Sequence, residues 1–243
     1  FNFIVKTLSI VIPAFNEEKT IVKILNKIKG AELPINWNKE ILITNDCSTD
    51  NTELAIHEYI NENSEMDISY YKHDENKGKG SSLHTSIKHA KGDYIIIQDA
   101  DLEYNPEEYS VMLKPVIDGY ADVVYGSRFL GGKPHRILFF WHSIGNKFLT
   151  FLSNMCTNLN LTDMETCYKL FRKDIIQSLD LKEKRFGFEP EVTSKISRIS
   201  KIRIYEVGIS YYGRTFEEGK KINWKDGLHA IYCILKYGMM KIK

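Results

Sequence analysis

At 243 residues, with 43% hydrophobic and 27% charged side chains, the chain has the make-up of an ordinary soluble globular protein with room for one large core. Its 33 lysines and arginines stand against 32 aspartates and glutamates, so the overall charge carries no nucleic-acid footprint and no nucleic-acid partner is expected. Cys47, Cys156, Cys167 and Cys233 show neither a CxxC pair nor a metal-ligand spacing and read as reduced thiols of a cytoplasmic protein.

Taken in order, Thr7 to Pro13 is a near-continuous apolar run, the pattern of a buried strand. Asn16-Glu17-Glu18-Lys19-Thr20 then leads into a helix with Ile21, Ile24, Leu25 and Ile28 on one face, ended by Gly30. Glu40 to Thr44 is a second strand, followed by the polar turn Asn45-Asp46-Cys47-Ser48-Thr49-Asp50 and a helix from Thr52 to Asn61. The rhythm continues with a strand over Ile68 to Lys72, a helix over Ser81 to Ala90 and a strand over Tyr94 to Gln98. A helix over Pro106 to Ile117, with proline near its first turn, and a fifth strand over Ala121 to Tyr125 complete it. Apolar strands alternating with helices predict an α/β fold, a Rossmann-like, mostly parallel sheet with helices on both faces, in a single domain spanning 1–243. No apolar run approaches the ~20 residues that span a bilayer, and no signal pattern opens the chain, so it is expected not to be integral to a membrane.

Open parallel sheets bind ligands beyond the carboxyl ends of their strands. Three polar clusters fall there: Asn16-Glu17-Glu18, Asp46 to Asp50, and Asp99 to Glu103. Ser48, Thr49 and Asp50 are equally the residues that cap helices and close turns. Capping, however, uses one short polar side chain, and it leaves the second carboxylate of Asp99-Ala100-Asp101, directly after the buried run Tyr94-Ile95-Ile96-Ile97, unexplained. Residues i and i+2 of an extended chain share a face, so both carboxylates can converge on one divalent cation able to hold a diphosphate.

The ordered set Ile12-Pro13-Ala14-Phe15-Asn16-Glu17-Glu18, Asn45 to Asp50, Asn76-Lys77-Gly78-Lys79-Gly80, Asp99-Ala100-Asp101 and Gly126-Ser127-Arg128 resembles glycosyltransferase family 2. Within that family the likeness is to dolichyl- or polyprenyl-phosphate sugar synthases, and it runs on through Tyr212-Gly213-Arg214 and Gly219-Lys220-Lys221. The resemblance implies the glycosyltransferase A-type fold and a metal-dependent, inverting transfer of a hexose. The donor it implies is a nucleotide sugar of the GDP-mannose or UDP-glucose type, the acceptor polyprenyl or dolichyl phosphate, and the cofactor Mg²⁺ or Mn²⁺. Carried over residue by residue, it assigns Pro13, Ala14, Phe15 and Glu17 to a nucleotide-binding first loop and Asp46 to recognition of the base. It sets Lys77, with Lys79, in a loop beside the nucleotide sugar, where a solvated loop entering a helix is the plainer alternative. It places Ala100 between the two metal ligands Asp99 and Asp101, and Glu103 where relatives often carry a glutamine that also reaches the metal. Asn45 and Cys47 stand where the family usually has Asp and Gly, and Cys167 replaces a glycine in Asp163-Met164-Glu165-Thr166-Cys167-Tyr168. The expected division is a nucleotide-sugar and metal half over 7–130 and an acceptor half over 131–243.

A leaving nucleoside diphosphate gathers negative charge as its bond to the sugar breaks, and a cation at Asp99 and Asp101 would offset it. A phosphate monoester, with a second pKa near ~6, is already anionic at neutral pH and needs arginines rather than a base. Arg128, Arg136 and Arg214 are the candidates, because a guanidinium fork matches phosphate oxygens. With a hydroxyl acceptor on a glycan or lipid-linked oligosaccharide, Asp163 is the natural base; otherwise it orients its neighbours. A sugar nucleotidyltransferase and a non-catalytic nucleotide-sugar binding protein remain as readings from other classes. A lipid acceptor calls for contact with the cytoplasmic face of a membrane. Two stretches have apolar residues suited to it, Trp141 to Leu159 and Trp224 to Lys243, which read equally as packing helices.

Overall fold

The computed structural model describes residues 5–134, 136, 137, 139–214 and 224–239. Its first half follows the expected alternation: β1 (Lys6–Ala14), α1 (Ile21–Gly30), β2 (Trp37–Asn45), α2 (Thr52–Glu62), β3 (Ile68–Lys72), α3 (Lys79–His89), β4 (Tyr94–Ile97). Pro106 to Ile117 divides into a 3-10 turn, Pro106–Glu108, and α4 (Tyr109–Ile117), because Asn105 accepts from the Glu107 N–H and closes the first turn tightly. Then follow β5 (Val123–Ser127), α5 (Phe140–Thr157), β6 (Lys169–Arg172), α6 (Lys173–Ser178), α7 (Phe188–Ile196), β7 (Ile204–Gly208) and α8 (Trp224–Gly238).

The seven strands form one sheet in the order β3-β2-β1-β4-β6-β5-β7. All pairings are parallel except those of β6, which runs antiparallel between β4 and β5. The expected mostly parallel sheet with helices on both faces is therefore present. Strand β1 shows why its apolar run is unbroken: Leu8, Ile10 and Ile12 enter a core shared with α1, α2 and α4, while Val11 enters the opposite core with α3, α6 and α7. Because β6 and β7 come from the later part of the chain, the two expected halves share one sheet.

Helices α5 and α8 pack on each other, and a Cβ on Gly238 would lie 2.6 Å from that of Cys156. Leu149 and Leu152 of α5 join the second core, but Trp141, Ile144, Phe148, Phe151 and Met155 are exposed, as are Leu228, Tyr232 and Leu235 of α8. The helices are thus packing elements on one face and apolar surface on the other. Gly219-Lys220-Lys221, Met240, Lys241 and Lys243 lie outside the described residues.

Candidate active site

The carboxyl ends of β1, β2 and β4 open into a cavity of about 310 Å³. Pro13, Ala14, Phe15, Glu17, Asp46, Asp99, Ala100, Asp101, Glu103, Arg128 and Arg214 all line it, so most of the expected site residues come together. Lys77, Asp163 and Arg136 do not line it.

The first and second loops are knitted to each other. Asn16, in the left-handed region at φ 53°, donates its N–H to Ser48 Oγ and accepts from the Thr49 N–H, while the Glu17 N–H donates to Thr52 Oγ1. Asp46 builds the neighbouring loop: its carboxylate accepts from the N–H groups of Lys77 (2.9 Å) and Gly78 (2.7 Å) and pairs with His73 Nδ1 (2.7 Å). Those three partners leave it about one acceptor position for a ligand. Gly78 has φ +94°, and a Cβ there would lie 2.6 Å from the Lys184 carbonyl oxygen, which explains a glycine beside Lys77. Lys77 itself is exposed, and its neighbour Lys79 is the lysine that enters the cavity.

Beyond β4 the chain turns sharply. Gln98 is buried, bonded to the Tyr104 carbonyl and the Tyr109 hydroxyl, and it holds a loop in which Leu102 takes φ 67°. Lys79 Nζ sits 2.7 and 2.9 Å from the two oxygens of Asp99 and 2.9 Å from Cys167 Sγ. Burial opposes the Lys79 charge, but Asp99 overrides it and holds the ammonium well above its usual pKa. Burial, then the Asp99 charge, push the Cys167 thiol well up. Asp101 pairs with Arg214 Nη2 at 2.8 Å. Burial and the charges of Asp99 and Glu103 raise its pKa to about 7 despite that arginine. Glu103 accepts from the Tyr211 hydroxyl (2.8 Å) and the Arg214 N–H (2.7 Å). Asp99, Asp101 and Glu103 do not bring one oxygen each within 4.8 Å of the other two, while Arg214 bridges Asp101 and Glu103.

Arg214 reaches Glu17, Asp101 and Glu103 together, at 3.8, 2.8 and 3.8 Å, and among the described residues its Nε has no hydrogen-bond partner. Its segment is docked by Glu108, which accepts from the N–H and hydroxyl of Ser210, and by Arg136, whose Nη1 donates to the Gly213 carbonyl. Arg136 therefore holds the segment that carries Arg214.

Arg128 also lines the cavity, its guanidinium 5.2 Å from the centre of the Tyr211 ring. Its Nε and Nη2 donate to the two oxygens of Asp163 at 2.7 and 2.8 Å, and Nη2 also donates to Asn146. Asp163 is fully buried; burial pushes its carboxyl up, but the Arg128 charge and hydrogen bonds bring it below the usual range. It reaches no cavity space, which favours its orienting role over that of a base. Glu165 does line the cavity, its Oε1 lacks a hydrogen bond, and burial beside Glu189 raises its pKa to about 8. Neither Glu165 nor the lining residues Arg185, Phe186 and Tyr211 were put forward from sequence. Glu165 stood inside the segment around Asp163; the others carried no periodic or motif signal.

Residues 9–180 match the family model for glycosyl transferase family 2. The UDP-N-acetylglucosamine–dolichyl-phosphate N-acetylglucosaminyltransferase of Methanococcus voltae is 27% identical, over 98% of both chains. A low-salt glycan biosynthesis hexosyltransferase of Haloferax volcanii is 29% identical and the dolichol-phosphate mannosyltransferase of Pyrococcus furiosus 24%. Those matches take in 96% and 94% of this chain but only 54% and 64% of the relatives, so it spans little more than half to two thirds of their length. In architecture the chain is similar to glucosyl-3-phosphoglycerate synthase from Mycobacterium tuberculosis, solved with Mn²⁺, uridine diphosphate and phosphoglyceric acid. The TM-score is 0.71 and the identity 17%, over 98% of this chain and 80% of that one.

Proposed function

The chain belongs to glycosyltransferase family 2, and from that premise we propose that it moves a hexose from a nucleotide sugar to a polyprenyl phosphate, with inversion at the anomeric carbon. The observation that supports the reading is that one cavity is lined by Asp99, Asp101 and Arg128, while Asp163 is fully buried, bonded to that arginine, and lines no part of the cavity. A phosphate acceptor needs a fixed guanidinium, which Arg128 supplies, and needs no general base.

A divalent cation fits the donor set. Six carboxylates line the cavity (Glu17, Asp46, Asp99, Asp101, Glu103, Glu165) beside four cations (Lys79, Arg128, Arg185, Arg214), and the crowding of acidic groups that raises the Asp101 pKa to about 7 is what a bound cation would relieve. Asp99 and Asp101 are hard oxygen ligands, and Mg²⁺ or Mn²⁺ is commonly held by one or two carboxylates with substrate phosphates completing the shell. When bound, the ion would supply Lewis-acid stabilisation of the leaving diphosphate. The protein's own parts then divide the work: the first loop and Asp46 receive the nucleoside, Arg214 stands ready for phosphate oxygens, and Arg128 orients the acceptor.

The exposed apolar faces of α5 and α8 suit a lipid surface, and Lys147 and Lys236 on those helices suit anionic headgroups. Contact of these two faces with the cytoplasmic leaflet is the form of attachment proposed; among the described residues no helix is long and apolar enough to cross a membrane. Names of the relatives that include dolichyl phosphate support this acceptor class. A hydroxyl acceptor is the second reading, favoured by Glu165, whose unpartnered oxygen and raised pKa suit a base.

The test is a donor screen with polyprenyl phosphate and Mn²⁺ or Mg²⁺, following nucleoside diphosphate and lipid-linked sugar together. Asp99→Ala is expected to abolish both products. Unchanged turnover in that variant, without metal, would sink the assignment.

A further inference from the structure

A cluster on the other side of the cavity wall has the composition of a transition-metal site. His229 and Cys233 stand four residues apart on α8 and so share one face of the helix. Glu183, from the loop between α6 and α7, meets them: its Oε2 lies 2.9 Å from His229 Nε2, and Cys233 Sγ lies 3.4 Å from that same nitrogen. One ligand atom from each residue falls within 4.8 Å of the other two, and no other group of three such residues does so among the described residues. The space is shaped by a glycine. A Cβ on Gly187 would stand 2.7 Å from Cys233 Sγ and 2.9 Å from Glu183 Oε2.

We propose that Glu183, His229 and Cys233 form a zinc site that fastens α8 to the wall of the active-site cavity. Carboxylate, imidazole and thiolate are all zinc ligands, and tetrahedral bonding at about 2.0–2.3 Å sets neighbouring N, O and S atoms about 3.3–3.6 Å apart. The observed 2.9 and 3.4 Å need only small side-chain adjustments to reach that shape. The far oxygen of Glu183 already has partners of the kind that orient a ligating carboxylate, Tyr237 Oη at 2.6 Å and Lys236 Nζ at 3.0 Å. His229, 44% exposed in its side chain, leaves the fourth position open to water. A scan for cysteine pairs misses this site because its signal is one His-x-x-x-Cys spacing plus a distant glutamate. The loop that carries Glu183 bonds the start of α3 through the Lys184 carbonyl and the Ser81 N–H, and continues into Arg185 and Phe186 of the cavity. A zinc ion here would therefore tie the helix with the exposed apolar face to the substrate cavity.

Titration of the metal-free chain with Co²⁺, then Zn²⁺, tests this. One equivalent of Co²⁺ should give a thiolate-to-cobalt charge-transfer band that Zn²⁺ displaces. The band should vanish in Cys233→Ser and persist in Cys167→Ser, whose thiol lies beside Asp99. Zn²⁺ affinity should fall more than about 100-fold in His229→Ala, a surface change that spares the core, and about 10- to 100-fold in Tyr237→Phe. Absence of the band, its survival in Cys233→Ser, or unchanged Zn²⁺ affinity in His229→Ala would overturn the proposal.

Discussion

Replacing Arg128 by Met should cost more stability than its place on a cavity wall suggests. The guanidinium supplies two of the four hydrogen bonds to Asp163; the others come from its own backbone N–H at 3.1 Å and from Asn146 at 3.2 Å. Asp163 is fully buried, so the variant leaves a carboxylate with half its donors and no counter-charge, a situation worth about 3–5 kcal/mol. For a chain of this size each kcal/mol moves the melting temperature by about 2–4 °C, giving a fall of about 6–20 °C. Asp163→Asn should cost less, because the Arg128 side chain is 12% exposed and can take water from the cavity. In the double variant Arg128→Met/Asp163→Asn neither charge is left alone, and its loss should fall short of the sum of the single losses by at least about 2 kcal/mol. Denaturant unfolding of all four proteins measures this cycle, and a transfer assay on the double variant then reads Arg128's part in activity apart from the fold. Additive losses, or an Arg128→Met protein within about 1 kcal/mol of the parent, would refute the buried-pair account.

Because a cation must displace the proton from Asp101, whose pKa is about 7, apparent Mn²⁺ affinity should weaken about tenfold between pH 8 and pH 6, read by metal titration at the two values. Glu165 sets an opposite trend in stability. Its folded pKa of about 8 exceeds the ordinary 4.5, so the folded state binds more protons between those values and loses stability as pH rises through them, by up to about 1.4 kcal/mol per pH unit. Melting curves from pH 5 to 9 should therefore fall less steeply in Glu165→Gln than in the parent. Cys47 holds φ 61°, a conformation that costs a side-chain-bearing residue about 1–2 kcal/mol, of which glycine's looser unfolded state takes back about 0.5–1. Cys47→Gly should raise stability by about 0.5 kcal/mol, measured by denaturant unfolding.

The first half of the fold was legible because its central strands are runs of β-branched residues buried on both faces, as at Ile10-Val11-Ile12 and Ile95-Ile96-Ile97. The second half was not. β6 is four residues long and places a fully buried lysine, Lys169, in the sheet, under the ring of Tyr125, and no local pattern announces a strand of that kind. The site divides the same way. Asp99 and Asp101 could be found from their place after a strand, since the position follows from chain order. Which lysine of Lys77 and Lys79 enters the cavity could not, because that depends on the turn at Gly78 and its packing against Lys184, a contact made across more than a hundred residues. Asp163 carried two readings until its burial behind Arg128 was known.

The two carboxylates proposed for the cation are each paired with a side-chain cation, but the pairs are not equivalent. Lys79 is confined from several sides, by both Asp99 oxygens and by Cys167, and it begins a helix whose start is locked to Lys184. Among the described residues, Arg214 spreads one guanidinium over Glu17, Asp101 and Glu103, with the Asp101 contact alone at hydrogen-bond distance and no partner for its Nε. A group held at three points, two of them loosely, gives up less by turning than one held tightly at a single carboxylate. A cation bound together with a diphosphate would be held by Asp101 with Asp99, and the Arg214 guanidinium, freed of Asp101, would fit phosphate oxygens. A cation at this site would have to compete with the Lys79 ammonium for Asp99 and with Arg214 for Asp101. Under the proposed function, Arg214 would then couple cation binding to donor binding through a turn of one side chain.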